Sequence, residues 1–213
     1  MFDHINRFKD DPRAFLRTQM RDFFGLEQDD IPPSLGEDDL LALYRANLKS
    51  QCGLRFAADL AIPHPTFSRT KFRLVVGGQH AAVVELFRDT ERKVVGVEAA
   101  GVREAAAQRA EENRTKQLSF LPGVAPTIDP HYEEQHGRGL SCAPDELRRQ
   151  LAAAGPSAFR DIWPSVLETH HVTKSELAKT AAQMVKVGEL RCLDLEQPKM
   201  TVQDHHRLAL PAR

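Results

Sequence analysis

The chain contains 213 residues, has a mass of 23.9 kDa and carries a formal net charge of −1. This length provides for one domain with a substantial core, or a small domain with an appendage, and excludes a large multi-domain enzyme. The near-zero charge excludes a global basic field around the protein. Because residues 1–40 carry ten acids and five bases, the rest of the chain is net basic and is the better place for a polyanion.

Membrane and disulfide signals are missing from the sequence. No run approaches the roughly 18 apolar residues of a membrane-spanning helix, and the first residues lack the basic end and apolar run of a signal peptide. The three cysteines lie far apart without a CxxC motif, which argues against a disulfide framework or a zinc knuckle. We therefore expect a soluble, cytoplasmic protein that makes no membrane contact.

Helical periodicity characterises the first part of the chain. Apolar side chains spaced along one face predict a helix over residues 10–24 and a second over about 37–51, separated by a loop rich in Pro, Gly and Asp. Gly25 and Gly53 mark the expected ends of these helices.

The pattern then alternates and predicts a hairpin. Residues 54–62 form the first strand, with one face more buried than the other, and an apolar run from residue 72 forms the second. Gly77 and Gly78 end that strand. A third helix follows, and we expect its inward side to carry Ala82, Val83, Leu86 and Phe87.

Residues 111–140 lose all periodicity and contain several prolines and glycines, which predicts a linker or long loop. After it we expect a short helix over residues 145–154 with Pro144 at its start, and then a helix capped by Ser157. Thr173 and Glu176 have the spacing of a capping box at the start of one more helix.

Two short strands, at residues 190–193 and 208–210, complete the chain. Helix, helix and two-stranded ribbon form the outline of a winged helix, in which a helix enters the major groove of DNA and the wing touches phosphates. The candidate nucleic-acid-binding residues are Thr173, Lys174, Lys179, Lys186 and Arg191.

An alternative interpretation of the same region is a packing or protein-contact module. Residues 173–188 predict a single helix without the inner turn of a helix-turn-helix, and Glu176 and Glu189 dilute the positive charge. Both interpretations stay open at this point.

Signals for catalysis are weak. The histidines and cysteines have no metal-site spacing, and the chain contains neither GxGxxG nor GxxxxGK[ST]. No Ser-His-Asp group or carboxylate pair is specified by spacing. We therefore assign no catalytic, cofactor-binding or metal-binding residue. Asn6 and Arg7 are candidate substrate-binding residues for an anion or a base, with an ordinary helix-entry role as the alternative.

Five segments point to a known family by their order. They are residues 3–8 (DHINRF), 23–25 (FFG), 43–49 (LYRANLK) leading into 53–56 (GLRF), 69–80 (RTKFRLVVGGQH) and, more loosely, 172–190. In this order they resemble the C-terminal part of the three-Cys-motif partner proteins (TcmP).

The resemblance implies an α/β fold, α+β if the chain is taken alone. Residues 1–110 would be the C-terminal half of a Rossmann-like, methyltransferase-type domain whose last two strands form an antiparallel edge pair. Residues 111–140 would be the linker or long loop, and residues 141–213 a small winged-helix-like module.

The nucleotide-binding half, which in longer relatives precedes the segment like residues 3–8 and builds the S-adenosylmethionine site, is missing from the chain. The resemblance therefore implies an accessory protein, non-catalytic alone and without a cofactor, that binds a partner polypeptide and adds nucleic-acid contact. The implied partner is a radical-SAM-like three-Cys protein. Two alternatives stay open, a methyltransferase-like enzyme completed in trans and a winged-helix DNA-binding regulator.

Overall fold

The computed structural model describes residues 36–64, 70–116, 128–194 and 201–211, together with Phe15, Thr18 and Asp22. The predicted first helix therefore lies outside the described residues apart from these three, which are helical, and Asn6 and Arg7 lie outside them as well. The fold is α+β, with helices and small antiparallel sheets. Within the described ranges, no helix combines the length and apolar character needed to cross a bilayer.

Two compact units divide the chain. The first comprises residues 1–83 and 101–125, and the second comprises residues 84–100 and 126–213. The first unit contains helix α1 (Glu37–Cys52) and strands β1 (Phe56–Pro63) and β2 (Thr70–Gly78). Helix α1 ends as predicted at Gly53, which adopts the left-handed conformation at φ 62° and donates its N–H to the carbonyl of Lys49.

The predicted hairpin is confirmed. Strands β1 and β2 pair antiparallel, with Phe56 opposite Gly78 and Ile62 opposite Phe72. The expectation of one more buried face is wrong, because both faces of β1 are buried between Ala57 and Ala61. Asp59 tolerates this burial because Arg45 donates to its Oδ1 at 2.7 Å and Arg73 donates to its Oδ2 at 3.0 Å.

Three helical segments follow without a break. They are α2 (Ala82–Glu91), a π-helical segment (Arg92–Glu98) and α3 (Ala99–Thr115). The predicted inward side of α2 is wrong, because Val84, Arg88 and Glu91 are buried whereas 68% of Leu86 is exposed. The pattern of apolar residues could not identify the buried face of α2, because that face carries the ion pair of Arg88 and Glu91.

The next element of the second unit is helix α4 (Pro130–Ala154). The predicted linker is therefore wrong at residues 111–115, which end helix α3, and at residues 130–140, which begin α4. Asp129 starts this helix by accepting hydrogen bonds from the backbone N–H groups of His131 and Tyr132 at 2.9 and 3.2 Å. The short helix expected over residues 145–154 is the end of α4, and Pro144 lies inside it. Residues 117–127 of the predicted linker lie outside the described residues.

The remaining elements of the second unit are β3 (Ser157–Ala158), α5 (Phe159–Thr169), α6 (Lys174–Lys186), β4 (Arg191–Cys192) and β5 (Arg207–Ala209). The three strands form an antiparallel sheet in the order β3-β5-β4. The two predicted strands are thus confirmed, and β3 was not predicted. The predicted helix cap at Ser157 is wrong, because Ser157 lies in β3 and α5 starts after Ala158 without a side-chain cap. Buried apolar side chains from the helices and the sheet form the core, among them Leu147, Phe159, Val166, Leu177 and Leu208.

Candidate nucleic-acid interface

The capping box predicted at the start of α6 is confirmed. Oγ1 of Thr173 accepts from the backbone N–H of Glu176 at 3.3 Å, and the Glu176 carboxylate accepts from the backbone N–H of Thr173 at 2.9 Å. The Thr173 hydroxyl also donates to Oε2 of Glu176 at 2.8 Å. Thr173 is buried, so the structure places this candidate in the helix cap rather than on an exposed surface.

Glu176 connects the start of α6 to two other elements. Nε2 of His136 in α4 donates to its Oε2 at 3.1 Å, and a guanidinium nitrogen of Arg92 lies 3.1 Å from its Oε1. Burial raises the pKa of Glu176, but the hydrogen bonds from His136 and Thr173 outweigh that effect and hold the pKa at about 2. The carboxylate is therefore engaged and charged, and its negative charge is balanced locally.

Lys174 has ionic partners in the same unit. Its Nζ donates to Oδ2 of Asp204 at 2.8 Å, lies 3.6 Å from Oε2 of Glu85 and sits 4.6 Å from the centre of the Trp163 ring. Burial lowers the pKa of Lys174, but the bond to Asp204 and the charge of Glu85 outweigh it and raise the pKa. This candidate ties α6 to α2 and to the turn before β5.

The exposed face of α6 carries four polar side chains at helical spacing, Ser175, Lys179, Gln183 and Lys186, which we call the α6 stripe. The opposite face is buried and includes Leu177, Ala181 and Met184. Neither Lys179 nor Lys186 forms an ion pair with a described residue. The stripe therefore presents two cations, a hydroxyl and an amide, and no carboxylate.

Two arginines lie on the outer face of the β4–β5 ribbon. Arg191 pairs with Ala209, and the N–H of Leu193 donates to the carbonyl of Arg207 at 2.8 Å. Because directly opposed residues share a face, Arg191 and Arg207 lie on the same face, and both are exposed. The opposite face carries Leu208, which is fully buried.

The helix end and the ribbon adjoin each other. Val185 of α6 and Arg191 of β4 line the same cavity, whose volume is about 510 Å³. Sequence reasoning missed Arg207, although its place next to the apolar residues 208–210 of a predicted strand is a usable signal. In the part of the chain that the structure describes, the guanidinium groups of Arg191 and Arg207 have no acidic partner.

The acids that were expected to dilute this charge are occupied. Glu176 is held in the capping box, and Oε2 of Glu189 accepts from Arg148 at 2.6 Å. The charge that remains exposed on α6 is therefore basic, carried by Lys179 and Lys186. On the ribbon, Arg191 and Arg207 are exposed beside the carboxylate of Asp194, which accepts from the backbone N–H of Arg207.

A turn over residues 170–173 separates α5 from α6. The single helix predicted over residues 173–188 is confirmed as Lys174–Lys186, and the chain turns just before it. Nε of Arg88 donates to the carbonyl of Leu167 at 2.8 Å, and Nδ1 of His171 donates to Oε1 of Glu91 at 2.6 Å. The buried Arg88–Glu91 pair of α2 thus holds the end of α5 and the turn itself.

The chemistry available here is recognition by hydrogen bonding and charge. Among the described residues, no group of three or more His, Cys, Asp or Glu side chains is placed to hold a metal ion. Comparison of the chain with protein-family models, with curated proteins and with solved structures finds no match, so the resemblance to the three-Cys-motif partner proteins stays a prediction.

Proposed function

We propose that the second unit is a winged-helix module that binds nucleic acid, with α6 as the recognition helix and the β4–β5 ribbon as the wing. The order helix, strand, helix, helix, strand, strand supports this proposal, as does the sheet order β3-β5-β4. The turn over residues 170–173 supplies the break between a supporting helix, α5, and α6. This function corresponds to the winged-helix DNA-binding regulator, one of the two alternatives that the sequence leaves open.

The single observation that carries the proposal is the α6 stripe. Lysines neutralise phosphates, whereas glutamine and serine side chains hydrogen-bond to base edges in the major groove. Lys179 and Lys186 flank Gln183 on an exposed helix face, so one side of α6 offers both phosphate-binding and base-reading side chains. Arg191 and Arg207 add cations on the wing, where the phosphate backbone would run.

A binding experiment with matched variants tests this function. The full chain is titrated against a fluorescent mixed-sequence duplex at low salt, beside Lys179→Gln/Lys186→Gln. The control, Arg109→Gln/Lys116→Gln, removes two exposed cations from α3 and its end and changes the net charge equally. We expect about a hundredfold loss for the α6 variant and little change for the control. No binding by the wild-type chain, or equal losses, would contradict the proposal.

A second candidate function is the partner-protein role that the family resemblance implies. It is supported by β2, which exposes 43% of Phe72 and 49% of Leu74 on one face of the strand. The test measures binding of a purified radical-SAM-like three-Cys protein to the full chain and to Phe72→Ser/Leu74→Ser. The second candidate predicts binding that the variant loses, and absence of binding by the wild-type chain counts against it.

The methyltransferase-like alternative rests on the family resemblance, and its candidate substrate-binding residues, Asn6 and Arg7, lie outside the described residues. It predicts that a complex of this chain with a polypeptide that supplies a nucleotide-binding half binds S-adenosylmethionine. Calorimetry on that reconstituted complex tests it, and absence of heat with this ligand would remove it.

A further inference from the structure

The outer face of α2 and the π-helical segment exposes apolar side chains. Leu86 is 68% exposed, Val94 is 46% exposed and Val97 is 53% exposed. Asp89 and Lys93 are exposed on the same side, whereas the opposite side, with Arg88 and Glu91, is buried. We call Leu86, Asp89, Lys93, Val94 and Val97 the outer stripe.

The backbone beneath the outer stripe is fixed from within its own unit. The carbonyl of Gly96 accepts from the N–H of Asp129 at 2.8 Å, and a Cβ at this glycine would lie 2.8 Å from the Tyr132 ring. Arg92 is anchored to Glu176. A π-helical segment is rare and is frequently found at functional sites. The outer stripe is therefore preorganised, so binding through it loses little conformational entropy.

The two charged residues of the outer stripe, Asp89 and Lys93, are equally far along the helix from residue 91. Asp89 and Lys93 lie two residues before and two residues after Glu91, and Leu86 and Val97 stand at the two ends of the stripe. Neither Asp89 nor Lys93 forms an ion pair with a described residue. A two-fold axis perpendicular to the helix near residue 91 would therefore exchange acid with base and one apolar end with the other.

We propose that the outer stripe is a homodimer interface, in which two copies of this chain pair their α2 and π-helical segments antiparallel about that axis. Asp89 then faces the partner subunit's Lys93, Lys93 faces the partner subunit's Asp89, and Leu86 packs near the partner subunit's Val97. Such an interface is isologous and closes at two subunits. It requires no nucleic acid.

Charge complementarity selects a second copy as the occupant. A partner surface must offer a base opposite Asp89, an acid opposite Lys93 and apolar groups at both ends. The outer stripe of a second copy, related by a two-fold axis, offers all of these groups. A parallel arrangement would instead place Asp89 against Asp89 and Lys93 against Lys93, which is repulsive. The sequence of charges therefore fixes the antiparallel direction.

A charge exchange tests the interface on the full chain. Sedimentation equilibrium is measured on wild type, Asp89→Lys, Lys93→Asp and the double variant Asp89→Lys/Lys93→Asp. Protein concentrations extend to about 0.5 mM, because a small helical interface is expected to be weak. Each single change produces two like-charge contacts, so we expect the dimer to weaken about tenfold or more. The double variant restores both pairs in reversed order and is expected to dimerise like wild type. Glu111→Lys, at an exposed position of α3, is the matched control.

Several outcomes would overturn the proposal. They are a wild-type chain that stays at the monomer mass of 23.9 kDa throughout, a dimer that both single variants leave intact, and a double variant no stronger than the singles. Far-ultraviolet circular dichroism identifies any variant that fails to fold. A second disruption, Val94→Glu, is expected to yield monomers and keeps the proposal testable if one charge variant is unfolded.

Discussion

Arg88 and Glu91 are buried together in the second unit, with a guanidinium nitrogen of Arg88 2.6 Å from Oε2 of Glu91. The pair also contacts the end of α5, because Arg88 donates to the backbone carbonyls of Leu167 and Glu168 at 2.8 and 3.3 Å. Burial raises the pKa of Glu91, but the bond from His171 and the charge of Arg88 outweigh it and lower the pKa. A charged anchor therefore holds the turn that presents α6.

Removal of the Arg88 side chain should strongly destabilise the second unit. Arg88→Met leaves Glu91 buried without its cation, and we expect a loss of about 3–5 kcal/mol in the free energy of unfolding. Arg88→Met/Glu91→Leu should recover part of that loss. Urea unfolding followed by Trp163 fluorescence reports on this unit, because Trp163 is the single tryptophan. Arg149→Met, which removes an exposed cation, is the control, and equal stability of Arg88→Met and wild type would contradict the expectation.

Acid should weaken the start of α6. The pKa of Glu176 lies at about 2 in the folded chain against an ordinary 4.5, so its charged form is favoured by folding. Its contribution is fully present above pH 4.5 and is lost as the pH falls from there toward 2. Glu176→Gln should therefore flatten the pH dependence of stability in this range, whereas Glu134→Gln, at an exposed site, should not. Identical pH profiles for wild type and Glu176→Gln would show that this account of the cap is wrong.

Two glycines of α4 should respond in opposite ways to alanine. A Cβ at Gly139 would lie 3.1 Å from the backbone nitrogen of His171, whereas a Cβ at Gly137 would have no atom within 4 Å. We expect Gly137→Ala to stabilise by about 0.5–1 kcal/mol through helix propensity. Gly139→Ala should destabilise by about 1–3 kcal/mol through overpacking. Thermal unfolding of both variants measures the difference, and a stabilising Gly139→Ala would refute the close approach.

Local patterns account for the predictions that the structure confirms. Alternation is enough to identify the β1–β2 hairpin, and the Thr173–Glu176 spacing is enough to identify the cap, because each signal lies within a few residues. The start of α4 does not follow from the local pattern, because Gly137 and Gly139 are typical of a loop. Glycine is needed at position 139 because the backbone of His171, a residue distant in the chain, lies too close to leave room for a Cβ.

Long-range partners explain the other differences. The burial of Arg88 depends on an environment that includes His171, 83 residues away in the chain. Lys174 was predicted as a nucleic-acid contact, but Asp204, 30 residues away, accepts its hydrogen bond. Lys179 and Lys186 could be identified from the sequence, because their exposure follows from the helical period alone. No short-range signal shows that Lys174 has an acidic partner.

The salt dependence of DNA affinity tests the central claim most directly. The logarithm of the association constant of the full chain is measured against the logarithm of salt concentration, for wild type and for Lys179→Gln/Lys186→Gln. If both lysines meet phosphates, the slope of the variant should be shallower by about two. An unchanged slope would mean that α6 does not contact the phosphate backbone, and it would contradict the assignment of α6 as the recognition helix.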